Sequence, residues 1–150
     1  MIKRLIFTCL MVLVAMGMKA NTVVTTATDV AAVDQNEMEL YYNGRKIGYI
    51  KPSGEVYING RTVGYARSNG EITVNGRKSG EIRYNGDIIQ DGRKVGEVRS
   101  NGEVYENGRK VGEIRSNGDV IKNGTRIGEV KNCINKQWAA AIYFFGFFSF

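Results

Sequence analysis

The chain has 150 residues, 19 of them Gly, one Pro, two Cys and no His, and its Lys and Arg outnumber Asp and Glu by 21 to 15. The missing His removes the commonest general base and the commonest zinc ligand together. One Pro excludes a Pro-rich linker, and the length bounds the chain to a single domain of ordinary size.

Residues 1–20 read as a secretory signal peptide: Met1-Ile2-Lys3-Arg4 is basic, Leu5 to Met18 is apolar, and Lys19-Ala20 follows. The apolar run falls short of the roughly 20 residues that span a bilayer, so no membrane span is expected in the mature chain. Removing Lys3, Arg4 and Lys19 lowers the 21 basic residues to 18 against 15 acidic ones. That modest surplus, together with export, argues against nucleic acid. Cys133 is then the one remaining cysteine, so no intramolecular disulfide can form. Export places the chain in the periplasm, at the outer membrane or outside the cell. Residues 21–40 form an acidic and polar leader with Asp29, Asp34, Glu37 and Glu39 and no basic residue. At its end, Glu39-Leu40-Tyr41-Tyr42 is expected to supply a short strand for the first repeat.

Residues 41–132 hold an internal repeat of 16 residues, with units starting at Asn43, Asn59, Asn75, Asp91 and Asn107 and a partial unit at Asn123. A repeat at fixed period means a repeat architecture. Asn-Gly or Asp-Gly opens every unit and predicts a type I′ hairpin turn, whose two central residues need positive φ. Ser-Asn-Gly, as at Ser100-Asn101-Gly102, predicts a three-residue loop ending in a left-handed residue. A longer strand (Arg93 to Arg99) and a shorter one (Glu103 to Glu106) lie between the turns, rich in β-branched residues. Across the loop Arg99 faces Glu103 and Val98 faces Val104. Across the next turn Glu106 faces Arg109, and Val104 is expected to face Val111. Val95 and Val98 are three apart and belong on opposite faces of a regular strand. A bulge or bend at Gly96, recurring at Gly48, Gly64, Gly80, Gly112 and Gly128, reconciles them and curls the sheet. Of the 19 Gly, 17 occupy the turn, bend and loop positions of the unit, so the glycine content signals punctuation of a sheet and not disorder. The expected fold is all-β: hairpin repeats curled into a closed, five-fold pseudo-symmetric barrel or flower, which hides the sheet edges.

Residues 133–150 are an apolar aromatic segment. Trp138, Tyr143, Phe144, Phe145, Phe147, Phe148 and Phe150 make seven aromatics in the last 13 residues, with no charge among them. A segment apolar on every side belongs in a core or an interface. The expectation is a plug filling the curled repeats. The other reading is an interface with a second copy or an envelope protein, or burial against a membrane.

The exported chain, the unit NGR-x-[VI]-G-x-[VI]-x-x-x-G-[ED]-[VI] and the aromatic tail together resemble the bacterial 5-fold β-flower proteins, over about Tyr41 to Phe150. The resemblance implies the architecture and carries no activity with it.

Ser–His and Cys–His nucleophile pairs are impossible without His. Glu55, Glu71 and Glu103 recur once per unit opposite Lys51, Arg67 and Arg99, which reads as hairpin pairing, and Cys133 reads as a small buried residue. No enzyme, metal or cofactor is expected. The one repeated group with a functional reading is Arg45, Arg61, Arg77, Arg93 and Arg109, which closure gathers into a cationic face for an anion or partner. Two functions follow: a structural or protein-interaction component of the envelope, or a small anion-binding module using the arginine face or an axial pocket.

Overall fold

The computed structural model describes residues 36–150. The expected signal peptide, and the leader as far as residue 35, lie outside the described residues. Twelve antiparallel strands close into a barrel. Six longer strands are β2 (Arg45–Ile50), β4 (Arg61–Ala66), β6 (Arg77–Ile82), β8 (Arg93–Val98), β10 (Arg109–Ile114) and β12 (Thr125–Lys131). They alternate with six shorter ones: β1 (Met38–Tyr42), β3 (Glu55–Ile58), β5 (Glu71–Val74), β7 (Asp87–Gln90), β9 (Glu103–Glu106) and β11 (Asp119–Lys122). Each strand pairs with its sequence neighbours, and β1 pairs with β12 to close the ring.

Six long–short sets do not accommodate five-fold order. The flank supplies β1 and the partial unit at Asn123 supplies β12, and together they add a sixth set to the five complete units. β1 starts at Met38, one residue ahead of the expected strand.

Local chemistry sets both kinds of turn. Asn43, Asn59, Asn75, Asp91, Asn107 and Asn123 stand at φ 48 to 50°, each followed by a Gly of positive φ. These are the primed two-residue turns that match the twist of the flanking strands. At the opposite barrel end, Gly54, Gly70, Gly86, Gly102 and Gly118 close the three-residue loops at φ 87 to 92°. There the Arg99 N–H donates to the Glu103 carbonyl and the Gly102 N–H to the Arg99 carbonyl, both at 2.9 Å.

The expected irregularity is present at every unit, one residue earlier than the bend glycine. Lys110 faces Tyr105 and Gly112 faces Val104, so Val111 is the extra residue of a bulge. Val104 therefore faces Gly112 and not Val111. Ile47, Val63, Ser79, Val95 and Ile127 occupy the same place in the other sets. The extra residue restores the alternation, because it lets both Gly112 and Ile114 face inward beyond it.

Inside the barrel the opposed pairs Ile50–Val56, Ala66–Ile72, Ile82–Ile88, Val98–Val104 and Ile114–Val120 form one buried layer. The tail completes the core. Helix α1 (Lys136–Tyr143) is capped by the Asn135 side chain, which accepts from the N–H groups of Gln137 and Trp138. Trp138, Ala139, Ala140, Ala141 and Ile142 join the same hydrophobic cluster as the strand residues.

Candidate functional site

The aromatic tail and the arginine set have separate places. The tail enters at the loop end, where Gln137 and Trp138 lie beside Ser68, Asn69 and Tyr84, and it finishes at the turn end beside Tyr42 and Lys122. From the last residue of α1 onward the rings fan outward to the bend glycines. A Cβ built on Gly64, Gly80, Gly96, Gly112 or Gly128 would meet the ring of Phe148, Phe147, Phe145, Phe144 or Tyr143 respectively. The tail thus visits the units in reverse order, one ring to one glycine, with Gly146 (φ 62°) interposed. At the sixth bend glycine, Gly48, the nearest atoms are backbone. The same glycines face the neighbouring strand's carbonyl so closely that a side chain would overlap it, as Gly96 does with Tyr105. One small residue therefore serves two contacts: the tight strand pair and the ring.

Six of the seven tail aromatics are buried, and Phe150 alone is largely open, at 43% exposure. The Tyr143 hydroxyl donates to the Tyr41 carbonyl at 2.7 Å and stands 3.4 Å from the Glu129 carbonyl. Tyr41 is on β1 and Glu129 on β12, so this hydroxyl bridges the closure seam. Burial pushes its pKa above the usual tyrosine value.

Two rings of cations lie at opposite ends of the barrel, and their electrostatic surroundings differ. At the loop end, Lys51, Arg67, Arg83, Arg99 and Arg115 each have a carboxylate within 4 Å: Glu55, Glu71, Glu81, Glu97 and Glu113. On the wall, Lys110 holds Glu103 at 2.7 Å and Glu113 at 3.0 Å, and Lys94 and Arg126 bridge the equivalent acids of their own sets. The Lys110 ammonium and the Asn101 side chain hold the Glu103 carboxyl down at about 2. Arg99 also lies over Tyr105, its guanidinium carbon 4.0 Å from the ring centroid.

At the turn end, Arg45, Arg61, Arg77, Arg93 and Arg109 each follow a hairpin turn directly and are all exposed. Among the described residues none of their guanidinium groups makes an ion pair or a hydrogen bond. Arg109 faces Glu106 across its turn in the backbone register, and still no pair forms. Closure brings the five sequence-identified arginines to one rim, with Thr125 in the sixth place. Lys122 lies on the same rim, 5.6 Å from the Phe144 ring centroid. Among the described residues the acidic side chains at this end are those of Asp91 and Glu106.

The tail fills the middle of the barrel, so the expected axial pocket is reduced to cavities at its two ends, one beside Trp138 at the loop end and one beside Tyr42, Lys122 and Phe150 at the turn end. Two further cavities are grooves on the outer wall. One is lined by Lys94, Val95, Glu97, Arg99, Tyr105 and Asn107, and its equivalent lies one unit on, at Lys110 to Gly124. Cys133 is half-buried, and burial raises its thiol pKa. Among the described residues no group of three or more Cys, Asp or Glu is placed to hold a metal ion, and no helix is long and apolar enough to cross a membrane.

Sequence reasoning missed two groups. The ring seats are signalled by a Gly recurring at an inward position where a β-branched residue was due. The Lys94, Lys110 and Arg126 bridges needed the bulge register, which moves each of these cations next to the acid of the preceding short strand. Comparison with protein-family models, with curated proteins and with solved structures finds no match to this chain.

Proposed function

We propose that the chain is an exported, non-catalytic binding module whose arginine rim meets a polyanionic partner in the cell envelope. One observation carries this reading: five arginines at one barrel end stand without carboxylate partners, while five repeated cations of the opposite end, Lys51, Arg67, Arg83, Arg99 and Arg115, each have one. A carboxylate neighbour costs little to provide at an exposed position, and the wall supplies one for nearly every other repeated cation. The rim therefore keeps a positive potential that ion pairing offsets in large part at the loop end. Six of the seven tail rings are committed to the barrel's own core, so the proposal rests on the rim and not on the tail. The 16-residue period is the device behind it, since one unit per strand pair returns every Arg to the same end. Kinship with the 5-fold β-flower proteins and passage across the inner membrane belong to the same proposal and rest on the sequence pattern, the kinship on the repeat unit and tail and not on the order of the barrel, which has six sets.

The test is salt elution from immobilised heparin. Arg45, Arg61, Arg77, Arg93 and Arg109 are changed together to Gln, and a control changes Lys51, Arg67, Arg83, Arg99 and Arg115 to Gln. Both variants lose the same formal charge. The rim variant is expected to elute at clearly lower salt than the control, because log K falls with the number of contacts made and not with net charge. Equal shifts for the two variants would refute the proposal.

A further inference from the structure

We infer that the rim docks on an anionic lipid surface, an inference that rests on the polyanion reading above and names its partner. Three observations lead there. The first is spacing. Successive arginines are two strands apart, so their attachment points stand about 10 Å from one another at the usual inter-strand distance of roughly 4.8 Å. Five cations spread around the end of a twelve-strand barrel cannot converge on one small anion. They match anionic groups distributed over an area.

The second is shape. The six turns have the same conformation, with φ of 48 to 50° and then 75 to 79°, and equivalent registers carry each into the next strand. They bring their arginines to one level around a closed ring, which suits a plane better than a thread. The third is what the ring encloses. Phe150 is exposed in its interior, its ring 5.0 Å from that of Tyr42 and 5.9 Å from that of Tyr143, with Gly146 and Ser149 open beside it. From Trp138 to Phe150 there is no charged side chain. An aromatic tip within a ring of arginines is the pairing that the headgroup region accommodates: apolar contact for the ring and anionic lipid for the cations. A linear polyanion would use the arginines and leave Phe150 untouched.

Co-sedimentation with vesicles tests this. The full chain is mixed with vesicles of phosphatidylcholine alone or of phosphatidylcholine with phosphatidylglycerol. Every variant keeps the same N-terminus, so differences report the rim. Binding is expected to require phosphatidylglycerol, to weaken about fivefold for each Arg→Gln change at the rim, and to fade with added salt. Phe150→Ala is expected to weaken vesicle binding severalfold and to leave heparin elution unchanged. Heparin retention through the rim without any binding to phosphatidylglycerol vesicles overturns the lipid assignment and leaves the polyanion reading standing. Vesicle binding indifferent to Phe150→Ala overturns it in favour of an acidic polymer lying across the arginines. Vesicle binding equal in the parent and the five-arginine variant overturns both. Thermal melts matching the parent confirm that the exposed substitutions leave the fold intact.

Discussion

Replacing Gly96 by Ala puts a methyl group where two neighbours already stand, the Tyr105 carbonyl oxygen of β9 and the Phe145 ring of the tail. The carbonyl belongs to the barrel wall and cannot retreat without opening the strand pair. Overpacking of this kind costs about 1–3 kcal/mol, and a backbone obstacle places Gly96→Ala at the upper end. Phe145→Ala removes a ring that is 9% exposed and costs about 3–5 kcal/mol through lost burial and the cavity it leaves. The double variant discriminates. With the ring gone, one of the two obstacles to the methyl group disappears, and Gly96→Ala becomes cheaper by about 1–2 kcal/mol than in the parent, the size of coupling expected between residues in contact. Gly92→Ala is the control. A Cβ there meets nothing within 4 Å, so its cost comes from φ +75° alone and stays the same with or without the Phe145 ring. Urea unfolding followed by Trp138, the one Trp in the chain, measures each corner of the cycle. Should Phe145→Ala leave too little stability to measure, Phe145→Leu keeps part of the burial and still vacates the ring position. Additivity of Gly96→Ala and Phe145→Ala within about 0.5 kcal/mol would refute the one-ring-to-one-glycine packing.

Tyr143→Phe removes the donor that bridges β1 and β12 and leaves the Tyr41 carbonyl short of a partner, at an expected cost of about 1–2 kcal/mol in the same urea assay. It also changes the alkaline limb. Burial raises the Tyr143 pKa above the ordinary 10.0, so the native state holds this proton more tightly than the unfolded chain. Its contribution is complete below pH 10 and is lost as pH rises beyond it, and the Phe variant should lose stability less steeply there. Glu103 gives the opposite case: its carboxyl is lowered from 4.5 to about 2, chiefly by Lys110. Its contribution is complete above pH 4.5 and disappears as pH falls toward 2, so Glu103→Gln should flatten the acid limb of a pH-dependent thermal melt. An unchanged acid limb would show that the Lys110–Glu103 bridge does not persist in solution.

The legible part of this fold is the part written locally. Asn-Gly at a fixed period specifies the hairpin turns, because few residues accept positive φ at both central positions. Ser-Asn-Gly does the same for the loops, and Val or Ile between them specifies strands. The three-residue spacing of Val95 and Val98 demanded an irregularity, and one is there. Its position was missed by one residue because Gly96 suits a bend as well as the neighbour of a bulge, and only the partner strand distinguishes them. The order of the barrel was also hidden, since five complete units are conspicuous and the sixth set is assembled from two fragments at opposite ends of the repeat region. The arginines could be enumerated from the repeat. Their lack of carboxylate partners could not, because partner choice depends on the bulge register. The fan of tail rings has neither helical nor strand period: Tyr143, Phe144, Phe145, Phe147 and Phe148 are nearly consecutive. Their spacing matches the repeat units around the barrel and not any periodicity along the tail itself.

Barrel width explains why the tail must be what it is. About eight strands leave an interior that strand side chains can fill by themselves, and diameter grows roughly in proportion to strand number. Twelve strands lined with Val, Ile and Gly leave an axial space that these side chains cannot reach across. Unfilled, it would leave every inward Val and Ile without partner atoms on its axial side. An α-helix with ordinary side chains is about 10–12 Å across, and Ala139, Ala140 and Ala141, all fully buried, slim α1 inside the barrel. From Tyr143 onward the tail changes from small residues to rings, and these meet the wall at the bend glycines. There large meets small. That complementarity ties strand number to tail composition: a barrel of this width needs a plug, and the alternation of Gly and Ile along its wall dictates where the plug is thin and where it is broad. It also leaves the rim as the part of the repeat with no structural duty, which is where five unpaired arginines stand.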